Sequence, residues 1–182
     1  PLPIRRATGS VFAMLGGGLG RYPAVSAVRV LRAVRAAMSI DDVLLLGLDL
    51  RSPAARIDAA ARNATLLTQW HRHALVVANR VAGTDFDPES FTHALRYDAE
   101  NRRVDEGVAC RAARRVSGPS MATFALRPGK VVRTSMQCLY ERSMLEPMLR
   151  GVGLKVQEWC ESADATHALA VVQVRFPDDG QP

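Results

Sequence analysis

Apolar residues cluster twice within the first fifty positions, at 11–15 and at 43–48, and between these runs a set of them from Val25 to Met38 recurs at steps of three or four. Two apolar runs flanking a helical period are the mark of a βαβ unit, because parallel strands covered on both faces need not alternate. The intervening segment places Val25, Val28, Leu31, Val34 and Met38 on one stripe and Arg29, Arg32 and Arg35 on others, which predicts a helix with a single buried side. Asp41 and Asp42 turn the chain into the second strand, and a right-handed crossover sets that strand beside the first.

Beyond Leu50 the texture changes. Ser52-Pro53 is a helix-start signal, and residues 54–81 carry few breakers, which predicts two helices or one long bent one. Leu66, Leu67, Trp70, Leu75, Val76 and Val77 supply its apolar surface. Residues 83–88 end the segment, and 88–91 start a short helix or turn. Residues 94–98 and 103–109 read as paired strands joined at 99–102, with Val104, Glu106, Val108 and Cys110 on one face. A carboxylate thus stands on an otherwise apolar side.

Residues 121–126 and 131–138 supply two more strands, the second following a turn at Pro128-Gly129-Lys130. A helix over 141–150 buries Met144, Leu145, Met148 and Leu149. Strands at 154–159 and 167–176, joined around Asp164-Ala165-Thr166, close the chain as a hairpin, an antiparallel edge on an otherwise parallel sheet. Residues 1–10 form a polar lead-in and 177–182 a disordered tail. The fold class is α/β, with 1–50 and 141–176 building one sheet and 51–140 inserted as an α+β module.

Composition narrows the class further. With 182 residues, 48% of them hydrophobic, the chain has the makeup of a soluble globular protein with a sizeable core. No run reaches the roughly 18 apolar residues needed to cross a bilayer. Arg5-Arg6 precede an apolar run cut short at Gly16, which is not the pattern of a signal peptide. The first residue is Pro1 rather than Met, so the sequence reads as part of a longer chain. Cys110, Cys138 and Cys160 form no close pair, which implies reduced thiols, a cytoplasmic protein and no structural zinc. The formal charge of +6 comes mostly from arginines spread along the chain among acidic residues. Without aromatic interleaving this predicts a solvated surface rather than a nucleic-acid site.

Candidate chemistry is sparse. The turn Gly16-Gly17-Gly18-Leu19-Gly20 lacks the GxGxxG spacing of a dinucleotide cradle, and reads either as a strand-to-helix turn beside a ligand or as a purely structural one. His71 and His73, two apart on a helix, point to different faces and do not share a metal. Each reads as a hydrogen-bonded or surface histidine.

The order of parts resembles the second half of a class I methyltransferase (Rossmann-like) sheet, whose seventh strand runs antiparallel. The stretches LGGGLG, DDVLLLGLDL, ANRVAGTDFDPESFTHALRYD, GKVVRTS and LRGVGLKVQEW resemble successive motifs of the histidine-specific, S-adenosylmethionine-dependent N-methyltransferases, the family that makes trimethylhistidine for ergothioneine. DFDPESFTHALRYD with the preceding Asn79-Arg80 is the most specific piece, and the likeness runs from about Val11 to Gln173.

This resemblance implies a donor domain and a substrate domain, the latter built partly by the insertion. It implies S-adenosylmethionine as cofactor, with Gly16 and Gly17 on the donor side. The family's main donor-binding strands precede the region matched, so the chain alone is expected to bind the donor weakly. On the substrate side, Arg21 stands where the family has Asn, Ala60 or Ala61 where it has Tyr, and Thr134-Ser135-Met136-Gln137 where it has Thr-Glu-x-Ser. Arg21, Ser135 and Gln137 are thus the implied substrate-binding positions. Losing a carboxylate that pairs with a ring N–H costs about 1.5–3 kcal/mol, which fits histidine poorly.

The implied function is that of a C-terminal portion of an N-methyltransferase acting on an amino acid or related small amine. Positioning would supply its catalysis, without a dedicated catalytic residue. The alternatives are a degenerate relative that binds a ligand or a partner chain carrying the first strands, and a fold with no ligand. An exposed sheet edge at 11–15 or 43–48 predicts oligomerisation or poor solubility.

Overall fold

The two apolar runs pair as parallel strands, β1 (Val11–Met14) and β2 (Val43–Asp49), with Val11 opposite Val43 and Met14 opposite Leu46. Helix α1 (Ala24–Ala37) connects them. The chain then forms α2 (Pro53–Arg62), α3 (Ala64–Ala82), β3 (Phe91–Asp98), β4 (Arg103–Cys110), β5 (Arg114–Gly118), β6 (Met121–Leu126) and β7 (Val131–Cys138). It closes with α4 (Arg142–Arg150), β8 (Leu154–Glu161) and β9 (His167–Val174). The computed structural model describes residues 9–119 and 121–175; most of the lead-in at 1–10 and the tail at 177–182 lie outside them. Two units result, Pro1–Arg51 with Gln137–Pro182, and Ser52–Met136.

In the first unit the strand order is β1-β2-β9-β8, with β9 antiparallel to β2 from Val43 opposite Gln173 to Asp49 opposite His167. The closing hairpin is therefore present, with β9 rather than β8 next to the parallel pair. Leu44, Leu46 and Leu48 of β2 alternate with half-buried neighbours, as do Ala168, Ala170 and Val172 of β9. They share one core with Ala27 and Leu31 of α1 and with Leu145 and Leu149 of α4. Continuous apolar strands suggested equal cover on both faces. Only one face is fully buried; Val43, Leu45 and Val171 on the other are half-buried.

The stripe on α1 is also rotated from the one expected. Val25 is 69% exposed, while Ala27, a residue too small to mark a stripe in the sequence, is fully buried. Positions 27, 31, 34 and 38 follow the 3.6-residue period more closely than a stripe begun at 25. Asp42, buried, accepts the backbone N–H groups of Ser10 and Ser39, each at 2.6 Å, and so ties the entries of both strands together. Because β2 is paired on both sides, residues 43–48 form no edge. Among the described residues the edges are β1 and β8, and the register of β8 against β9 shifts between Val156 and Glu158, an irregularity of the kind that makes an edge a poorer template.

The second unit is an α+β module. Ser52 Oγ accepts the Ala55 N–H at 3.2 Å and Pro53 occupies the first helical position, which fixes the start of α2. The helical stretch is two helices, broken at Asn63. β3 and β4 pair from Phe91 opposite Cys110 to Asp98 opposite Arg103, and β7 joins β4, while β5 and β6 form a separate ladder. β3 begins three residues earlier than the sequence suggested, because Phe91 is fully buried and anchors it. Leu75, Phe91, Val108, Cys110, Val116 and Leu126 make the core.

Asn79, in the most specific motif, fastens the loop that follows. Its Nδ2 donates to Phe86 O at 2.7 Å, and its Oδ1 accepts from Thr84 Oγ1 and from the Phe86 N–H.

Candidate functional site

In open α/β sheets, ligands bind at the carboxyl ends of the parallel strands. Here β1 runs into Gly16 and Gly17, whose φ angles of 63° and 68° lie in the left-handed region and let the chain double back. Gly18 N–H then donates to Leu15 O, and Gly17 N–H to Gly47 O of β2, each at 3.2 Å. Gln137, at the end of β7, donates its Nε2 to Gly17 O at 2.9 Å. A Cβ on Gly17 would stand 2.9 Å from that same nitrogen, whereas no atom of the described residues lies within 4 Å of one on Gly16. Gly17 is a brace and Gly16 is the open side of the turn.

Of the positions implied by the family resemblance, the structure brings Gly17 and Gln137 together. Arg21 ends the short 3₁₀ helix Gly18–Arg21 and is exposed. Ser135 is exposed on β7 and belongs to the second unit. Two further groups at the end of β2 escaped sequence reading. Asp49 takes Arg51 side-on, with Nε to Oδ1 at 3.0 Å and Nη2 to Oδ2 at 2.6 Å. The only signal was an acidic residue closing an apolar run.

S-adenosylmethionine needs acceptors for its ribose hydroxyls and a slot for its purine. The Gly17 N–H and carbonyl are both engaged within the fold, and Asp49 is held by Arg51. The described residues of this unit do not by themselves fit the whole donor.

Beside the glycine turn, the Tyr140 hydroxyl donates to Tyr22 O at 2.7 Å. Burial, with a smaller contribution from Cys138, pushes its pKa up to about 12. The folded form therefore holds this proton more tightly than the unfolded chain, whose tyrosine titrates near 10. Stability should be fully present below about pH 10 and decline as pH rises toward about 12. Alkaline urea titrations should show a steeper decline for the wild type than for Tyr140→Phe; equal slopes would count against it.

The second unit holds a polar cluster that the sequence reading did not assemble. His71 of α3 is buried and stacks on His93 of β3, with ring centroids 5.1 Å apart. Its Nδ1 lies 2.6 Å from Thr134 Oγ1 on β7, and its Nε2 lies 4.0 Å from Glu106 Oε2 on β4. His93 Nε2 is 3.6 Å from Glu106 Oε1. Burial lowers the His71 pKa, opposed by the Glu106 carboxylate and assisted by His93. The partner of His71 is thus a strand residue 22 positions away, not His73, which is exposed. Glu106 does stand on the apolar face where alternation put it, beside Val104, Val108 and Cys110.

No helix among the described residues is long and apolar enough to cross a membrane. The chain is 28% identical over 163 residues to the histidine N-alpha-methyltransferase of Mycobacterium tuberculosis (strain CDC 1551 / Oshkosh), a match covering 88% of this chain and 51% of that protein. It is 26% identical over 149 residues to the enzyme of the same name from Mycolicibacterium smegmatis, covering 80% of this chain and 46% of that one. The chain thus spans about half the length of these curated relatives. Among solved structures it is similar to the CcbJ methyltransferase from Streptomyces caelestis, with a TM-score of 0.49 and 12% identity over 96% of this chain and 63% of that one. A family model described as "histidine-specific methyltransferase, SAM-dependent" matches residues 1–174, and the chain belongs to that family.

Proposed function

We propose that this chain is the C-terminal, substrate-side portion of an S-adenosylmethionine-dependent N-methyltransferase acting on an amino acid or related small amine other than histidine. The observation that carries this reading is Gln137, an amide placed against the glycine turn at the carboxyl end of the parallel strands. An amide donates and accepts but carries no charge, so it suits a neutral polar group better than an imidazolium. Arg21 adds an exposed cation on the same turn, which suits a substrate carboxylate. Transfer would depend on alignment of amine and donor, so the role of these residues is to orient. Cys110 and Cys160, neither in a disulfide, suit a reducing compartment, and we place the protein in the cytoplasm.

A second reading has its own support. The engagement of Asp49 by Arg51 and of Gly17 by Gln137 leaves the strand ends occupied by the protein's own groups, as in a relative that binds a ligand or partner without turning over. Methyl-labelled donor, supplied to the full-length protein carrying this chain with a panel of amino acids and small amines, separates the two. Label on a non-histidine amine, reduced at least tenfold by Gln137→Ala, is the expected result. Label on histidine alone would overturn the substrate, and label on nothing would favour the second reading.

A further inference from the structure

We propose that His71, His93 and Glu106 form a binding site for one divalent transition-metal ion of the zinc class. One ligand atom from each of the three lies within 4.8 Å of the others, and they arrive from α3, β3 and β4. An ion bound at about 2.0–2.2 Å from nitrogen and oxygen ligands holds them roughly 3.4 Å apart in a tetrahedral arrangement. His93 Nε2 stands 3.6 Å from Glu106 Oε1 and His71 Nε2 stands 4.0 Å from Glu106 Oε2, so each imidazole is within a few tenths of an ångström of that spacing from one carboxylate oxygen.

Two further observations point to a ligand. His93 Nε2 is buried with no hydrogen-bond partner among the described residues, in a side chain only 7% exposed. A buried polar atom in that state has lost its water without a replacement partner, a cost that a bound ion would remove. His71 is placed as metal-ligating histidines are: its Nδ1 lies 2.6 Å from the Thr134 hydroxyl, an oxygen able to accept the Nδ1 proton, and in that tautomer Nε2, on the Glu106 side, is the free ligand atom.

The donor set selects the ion. Two imidazoles and one carboxylate suit zinc and its neighbours, whereas magnesium and calcium prefer all-oxygen cages. The Glu106 side chain, 30% exposed, opens the site to solvent and leaves room for an exogenous ligand on the ion. All three ligands sit on regular elements, and Thr134 supports His71 from the adjoining strand.

The test uses the 182-residue chain after chelation, dialysed against Zn²⁺ or Co²⁺, with bound metal measured by mass spectrometry. The expected result is one equivalent of either ion, undisturbed by excess Mg²⁺. His93→Gln and Glu106→Gln should each weaken binding by at least about 100-fold, and Thr134→Val by about 10–100-fold. His73→Gln, exposed on the same helix, should leave it unchanged. Because changes at buried positions can disturb packing, imidazole ¹⁵N spectra of the wild type give an independent reading. The Nε2 resonances of His71 and His93 should shift on Zn²⁺ addition while those of His73 and His167 stay fixed. Less than one equivalent bound, binding unaffected by His93→Gln, or shifts confined to His73 and His167 would each overturn the site; a histidine pair sharing a proton without metal is then what remains.

Discussion

Leu46→Ala should lower the stability of the first unit by about 3–5 kcal/mol, the upper range for a buried leucine cut back to alanine. Leu46 is fully buried near the middle of β2, the strand with neighbours on both sides, opposite Met14 on β1 and Ala170 on β9. It shares its core with Leu31, Leu145 and Leu149, from the two helices that cover the sheet. One strand neighbour is already an alanine, so little side chain is available to move into the space. Total stabilities of about 5–15 kcal/mol make such a loss a large fraction of the whole. Trp159 packs against this core and reports on it. Urea unfolding followed by its fluorescence in a Trp70→Phe background is the measurement. Leu46→Met should cost under about 1.5 kcal/mol, since the volume is kept. A Leu46→Ala effect no larger than that of Leu46→Met would mean the core is centred elsewhere.

Gly107→Ala should damage the second unit by about 3 kcal/mol, at or above the upper end of the usual cost of overpacking. A Cβ at Gly107 would stand 2.1 Å from Val132 O and 2.9 Å from Arg133 Cα, both backbone atoms of β7. No rotamer change relieves a collision with main chain, so β4 and β7 must part. Thr134 lies on β7, and its separation from β4 would loosen the 2.6 Å contact with His71. Hydrogen exchange should show amides of residues 104–110 and 131–136 opening earlier, with those of β2 and β9 unaffected. Protection unchanged at β4 and β7 would contradict the close approach.

What could be read in advance follows from where side-chain pattern and backbone agree. β1, α1 and β2 were legible because two apolar runs flank a helical period. The β3–β4 hairpin was legible because Val104, Val108 and Cys110 alternate. β5 was not, since in RRVSG only Val116 is apolar and its pairing is with β6, across an irregular register. The histidine cluster is hidden for a related reason: the apolar signal of β3 starts only at Ala94, so His93 falls outside it and local spacing sets His71 beside His73 alone. Pairing of residues far apart in sequence leaves no local trace. The Gly17–Gln137 bond is of the same kind, since it joins positions 120 apart.

The insertion of about 85 residues, 52–136, between the strands of a single sheet governs how that sheet can assemble. β2 cannot meet β9 until the longer loop 50–166, about 117 residues, has been closed, at an entropic cost of about 4 kcal/mol for a flexible chain. The hairpin of β3 and β4, by contrast, closes over only four intervening residues, 99–102. Local pairing of that kind outruns distant pairing by orders of magnitude. The inserted module is thus placed to order itself while the flanking sheet is still searching, and its own fitness to fold sets the pace at which the two distant ends find one another.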